Sequence, residues 1–90
     1  MDLEPGMMVR SKAGRDKDCV YVITDVRNGN VYVADGEKKP LRHAKRKNRK
    51  HLQPILKARA GNLQDDAALR EFLRKNAPEG SGVRAEVQED

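Results

Sequence analysis

The chain has 90 residues, with 19 Lys and Arg against 14 Asp and Glu, and a formal net charge of +5. That length supports one compact domain plus an appendage, leaving little room for a large enclosed active site, and the basic balance favours polyanionic partners. Cys19 is the only cysteine, which excludes an internal disulfide and any cysteine-based metal site within one chain.

The opening residues, Met1 to Arg10, lack the long apolar run of a signal peptide, and no stretch approaches membrane-spanning length. A cytoplasmic protein without a membrane partner is the expectation. After the Pro5-Gly6 turn, Met7, Val9 and Ser11 alternate with Met8, Arg10 and Lys12, the period of a short strand. Ala13 to Asp18 is polar, contains Gly14 and reads as a loop. Cys19 to Val26 is rich in β-branched residues and gives the strongest strand signal. Unbroken alternation would place Val20, Val22, Thr24 and Val26 on one face, with Tyr21, Ile23 and Asp25 on the other.

Asn28-Gly29-Asn30 follows, and residues that tolerate positive φ predict a hairpin returning along Val31 to Ala34. Asp35-Gly36 marks the next turn. Pro40 to Arg42 and His51 to Gln53 are expected to form short edge strands. Closely spaced short strands with turn signals predict a mainly β fold, a small β-barrel over residues 1–57. Residues 58–77 then read as a linker and an amphipathic helix ending near Asn76. Asn62 or Asp65 would cap it, and Leu69, Phe72 and Leu73 would share one face beside Ala68. A helix of about a dozen residues is marginal alone, so packing on its own barrel is the default, with docking on a partner protein the alternative. Residues 78–90, with Gly80-Ser81-Gly82 and an acidic end, are expected to be a disordered tail.

Charge is unevenly distributed. Residues 1–57 hold 14 Lys and Arg against 7 Asp and Glu, whereas residues 58–90 hold 5 against 7. The stretch from Lys38 to His51 contains eight Lys and Arg and no acid. Such a segment can displace counterions from a phosphate backbone while reading little sequence, so Lys38, Lys39, Arg42, His43, Lys45, Arg46, Lys47, Arg49, Lys50 and His51 are candidate RNA contacts. A solvated edge is the structural alternative. Lys12, Gly14, Arg15 and Lys17 form a second candidate, since a glycine permits a tight loop whose amides and basic side chains can approach phosphate. Asp16 and Asp18 are expected to reduce the positive field there.

Tyr21 and Tyr32 could stack on bases, although strand positions favour packing for at least one of them. His43 and His51 have no Cys, His or carboxylate companions at ligand spacing, so no metal is expected. Cys19 has no evident orienting base, no phosphate-cradling motif is visible, and neither a cofactor nor catalysis is expected.

The run Pro5 to Asp18, above all Ser11-Lys12-Ala13-Gly14-Arg15-Asp16-Lys17, resembles the start of a KOW motif, an alternating segment with a key glycine in a basic loop. Together with Val31-Tyr32-Val33-Ala34-Asp35-Gly36 and Lys50-His51-Leu52-Gln53, it is similar to bacterial KOW-domain RNA-binding proteins related to archaeal and eukaryotic ribosomal protein families. The resemblance covers roughly residues 3–54. It implies an SH3-like barrel with RNA contacts from the motif loop. The expectation is therefore a ribosome-associated, non-enzymatic protein, with ribosomal RNA and ribosomal proteins as partners in translation or ribosome assembly. The competing expectation is a protein-binding SH3-like module in a transcription or translation complex.

Overall fold

A computed structural model describes residues 2–78; the tail expected over 78–90 lies outside the described residues but for Pro78. The fold is mainly β. Five antiparallel strands run β1 (Met7–Ser11), β2 (Val20–Arg27), β3 (Asn30–Ala34), β4 (Lys45–Asn48) and β5 (Leu52–Arg59). One helix, α1 (Asp66–Asn76), follows, and single 3₁₀ turns at Leu41–His43 and Arg49–His51 flank β4.

The strand order is β4-β3-β2-β1-β5, so the two edge strands are consecutive in sequence. In a flat sheet, four spacings of about 4.8 Å would hold them roughly 19 Å apart. Yet residues 49–51 join them through one 3₁₀ turn, which rises only about 2 Å per residue. The sheet therefore curls strongly, giving a concave inner face and a convex outer one.

Strand alternation fills both faces. Met7, Val9, Tyr21, Ile23, Val31, Val33 and Leu52 form the inner cluster. Met8, Val20, Val22 and Ala34 point outward and are covered by Leu69 and Leu73 of α1. Burying one leucine fully contributes about 1.5–3 kcal/mol, so the helix is anchored by its own sheet. Asp65 caps it, accepting from the Ala67 N–H at 3.0 Å. Asp66 ties it to the 3₁₀ turn by accepting from the Leu41 N–H at 2.7 Å, and the Arg70 guanidinium donates to the Gly36 carbonyl at 3.0 Å. The Asp35-Gly36 turn is pressed onto the first helical turn. At Gly36, with φ +80°, a Cβ would overlap the Asp66 carbonyl and lie 3.0 Å from the Arg70 nitrogen.

The hairpin forms as expected. Arg27 pairs with Asn30 around Asn28 (φ 52°) and Gly29 (φ 81°), the two positive φ values of a type I′ turn. Three local expectations are corrected. A bulge between Ile23 and Asp25 inserts Thr24 without a partner and resets the alternation, so Val26 packs on the inner cluster rather than beside Val20 and Val22. Pro40 to Arg42 is not an edge strand: Leu41–His43 is a 3₁₀ turn, its first amide bonded to Asp66, and the edge strand is Lys45–Asn48. The last strand begins at Leu52 and continues to Arg59, far past Gln53 and two residues beyond the boundary at 57, because it pairs along the whole of β1.

Candidate nucleic-acid interface

The two basic segments that are separate in sequence meet in space, and Asp16 joins them. The loop between β1 and β2 turns at Gly14 (φ 86°) and Asp18 (φ 74°). The Asp18 N–H donates to the Ser11 carbonyl at 2.8 Å, and the Cys19 N–H to the Asp16 carbonyl at 2.9 Å. This path turns the Asp16 side chain inward. Its Oδ2 accepts from the Tyr21 hydroxyl at 2.8 Å. Its Oδ1 accepts from Ser11 Oγ at 2.9 Å and Lys47 Nζ at 3.0 Å, with Lys45 Nζ 3.6 Å from Oδ2.

Burial alone would raise the Asp16 pKa, but the donated bonds from Tyr21, Lys47 and Ser11 outweigh it and hold the carboxyl well below its usual range. The same contact works in reverse at Tyr21, whose burial and bond to Asp16 push its hydroxyl far above the normal tyrosine range. Burial first, then the charge of Asp16, pushes the Cys19 thiol up. Cys19 lies half-buried against the inner cluster.

Strand alternation divides the cations of β4. Lys45 and Lys47 lie opposite Val33 and Val31 and so share the inner side. The Lys47 side chain is only 10% exposed and Asp16 13%. Lys47 is therefore a structural cation, although its place in a dense basic run gives no hint of this. Lys45 is less enclosed, at 41%. Arg46 alternates to the outer side, opposite Tyr32, and is exposed.

The remaining candidates are largely in solvent. Lys12, Gly14, Arg15 and Lys17 are exposed on the loop, and Arg49, Lys50 and His51 are exposed on the second 3₁₀ turn. The Lys12 N–H donates to the His51 carbonyl at 2.8 Å, fastening loop and turn together. Lys38, Arg42 and His43 are exposed and Lys39 is half-buried on the segment leading into β4, next to the Asp66 end of α1. None of the exposed cations Lys12, Arg15, Lys17, Lys38, Arg42, Arg46, Arg49 and Lys50 has an ion pair among the described residues. Asp16, expected to weaken the field of the loop, instead spends its charge on Lys47 and Lys45; Asp18 stays exposed beside the loop cations.

The two tyrosines separate. Tyr21 is buried and committed to Asp16, whereas Tyr32 is half-buried on the outer face with the Arg27 guanidinium 4.7 Å above its ring. No group of three or more His, Cys, Asp or Glu side chains is placed to hold a metal among the described residues. Neither a scan of the chain against protein-family models nor a search of curated proteins finds a match.

Proposed function

We propose that this chain is a non-catalytic RNA-binding protein of the KOW type, held in the cytoplasm on ribosomal RNA by contacts to phosphate. The observation that carries the reading is the sorting of its cations. Lys47 is neutralised internally by Asp16, while Lys12, Arg15, Lys17, Arg49 and Lys50 remain exposed on a loop and a turn bonded to each other. Unpaired exposed cations on adjoining segments make an electrostatic footprint that displaces counterions from a polyanion. Arg46 and Arg49 can add paired hydrogen bonds to phosphate, and the lysines act as mobile point charges. The contacts supply affinity with little sequence reading, so selectivity would come from the shape of the RNA. Ribosomal proteins are the neighbours this role implies.

A second reading has its own observation. Leu56 is the one large hydrophobic residue well exposed among the described residues, at 65%, and it lies on the edge strand β5. An edge strand with an apolar side chain can pair with a protein partner, as a module of a transcription or translation complex would. Crosslinking in cells followed by sequencing of bound RNA separates the two. Enrichment of defined ribosomal RNA segments is expected. Nuclease-resistant association with polymerase subunits, without ribosomal RNA enrichment, contradicts the first reading and supports the second.

A further inference from the structure

The outer face of the sheet is only partly covered by α1. Ala34 and Val22 lie under Leu69 and Leu73, but the bulge at Thr24 and the type I′ hairpin carry the same face onward past the helix. There the register aligns Asp25, Tyr32 and Arg46 side by side across β2, β3 and β4. A shallow depression of about 340 Å³ opens at this point, bounded by Asp25, Arg27, Tyr32, Leu41, Arg42 and Ala44.

Its chemistry is specific in kind. Arg27 Nε is held 2.9 Å from Asp25 Oδ2, and the guanidinium lies 4.7 Å above the Tyr32 ring. Ion pair and cation–π contact together hold the guanidinium over the ring, with most of the Arg27 side chain in solvent. The other Asp25 oxygen accepts from the Val26 N–H at 2.9 Å, so the acid is engaged within the protein. Leu41 and Ala44 supply an apolar wall and Arg42 a cation at the margin, with Arg46 next to Tyr32 in the register; neither arginine has an ion pair among the described residues.

We propose that this depression is a nucleobase subsite, in which one unpaired base of the bound RNA stacks on the Arg27–Tyr32 platform while its flanking phosphates meet Arg42 and Arg46. This rests on the RNA-binding reading and deepens it. The phosphate face alone would treat duplex and single strand alike, whereas a stacking platform requires an unpaired nucleotide. The protein should therefore prefer RNA helices interrupted by a loop or bulge.

The test uses the full chain and two RNAs of equal length, one a perfect duplex and the other the same helix with an unpaired loop. Wild type is expected to bind the looped RNA more tightly, with quenching of tyrosine fluorescence, which only Tyr21 and Tyr32 contribute. Loss of one stacked base weakens binding by about 5- to 150-fold. Tyr32→Ala should lose affinity in that range for the looped RNA and leave duplex binding unchanged; Tyr32→Phe should retain the preference. Arg27→Lys guards against a folding defect at Tyr32, because it keeps the charge of an exposed side chain and removes only the plane. It should lose the loop preference with an unchanged salt slope. If wild type binds both RNAs but Tyr32→Ala and Arg27→Lys keep its loop preference, or if it shows no preference, the subsite is refuted and the phosphate reading stands. Failure of wild type to bind either RNA overturns both.

Discussion

Replacing Asp16 with Ala removes the acceptor shared by Ser11, Tyr21 and Lys47. The bonds from Ser11 and Tyr21 run to an ionised acceptor, and such bonds contribute about 1.5–3 kcal/mol each. Removing one partner of an enclosed ion pair, which here strands the Lys47 ammonium, costs about 3–5 kcal/mol; the two figures overlap, because both count loss of the same carboxylate, and with partial access of water to Lys47, 10% exposed, the total should be at least about 3 kcal/mol. A domain of this size is stable by only about 4–12 kcal/mol, so the loss should be plain in urea denaturation followed by circular dichroism. Asp16→Ala/Lys47→Met should recover part of it, because the stranded charge is gone.

The pH dependence has a defined sign. The folded-state pKa of Asp16 is depressed, so its contribution is fully present above the unfolded carboxylate value of about 3.9 and is lost as pH falls below it towards the folded value. The gap in stability between wild type and Asp16→Asn should therefore be widest near pH 7 and narrow steadily below about pH 4. A gap under about 0.5 kcal/mol at pH 7, the range of ordinary surface substitutions, or one that does not narrow in acid, would refute the role given to Asp16.

Other consequences are equally direct. Leu69→Ala, at a fully buried site against Met8 and Val22, should cost about 2–5 kcal/mol in denaturant titration and reduce amide-exchange protection in β2 as well as in α1. Gly36→Ala should destabilise by more than about 1 kcal/mol, from a Cβ at positive φ that meets the Asp66 carbonyl, and should weaken helix docking as read by proteolysis after residue 60. Tyr21→Phe should cost about 1.5–3 kcal/mol at pH 7, since the lost bond runs to an ionised acceptor. Because the Tyr21 pKa is raised on folding, wild type should lose stability as pH rises above about 10, and the variant should lose less over the same range.

Local signals carried the features that short-range physics decides. The β-branched run of β2 and the Asn28-Gly29 turn appear where the sequence places them, and of the two candidate caps, Asn62 and Asp65, it is Asp65 that caps the helix, because each depends on backbone preferences of a few adjacent residues. The bulge at Thr24 could not be read, since it is set by pairing with β3 and the curl of the sheet. The edge strand fell on Lys45–Asn48, a run without the usual strand composition, because long basic stems can stand on the margins of a sheet while the backbone pairs with β3. Asp16 was the larger surprise. Its partner Lys47 is 31 residues away, so the ion pair itself leaves no mark on the neighbouring sequence. An acid at the turn of a basic loop, five residues before a strand tyrosine and five after a serine, is the pattern that could have found it.

The claim that exposed cations bind RNA phosphates while Lys47 serves the fold is tested most directly by the salt dependence of RNA affinity. Each phosphate contact removed should lower the slope of log affinity against log salt by about 1. Replacing Arg46, Arg49 and Lys50 with Gln should therefore reduce the slope by about 2–3 without changing thermal stability by more than a few degrees. Lys47→Met should do the reverse, altering stability and leaving the slope of the folded protein intact. An unchanged slope in the triple variant, or a slope that falls with Lys47 alone, would contradict the account.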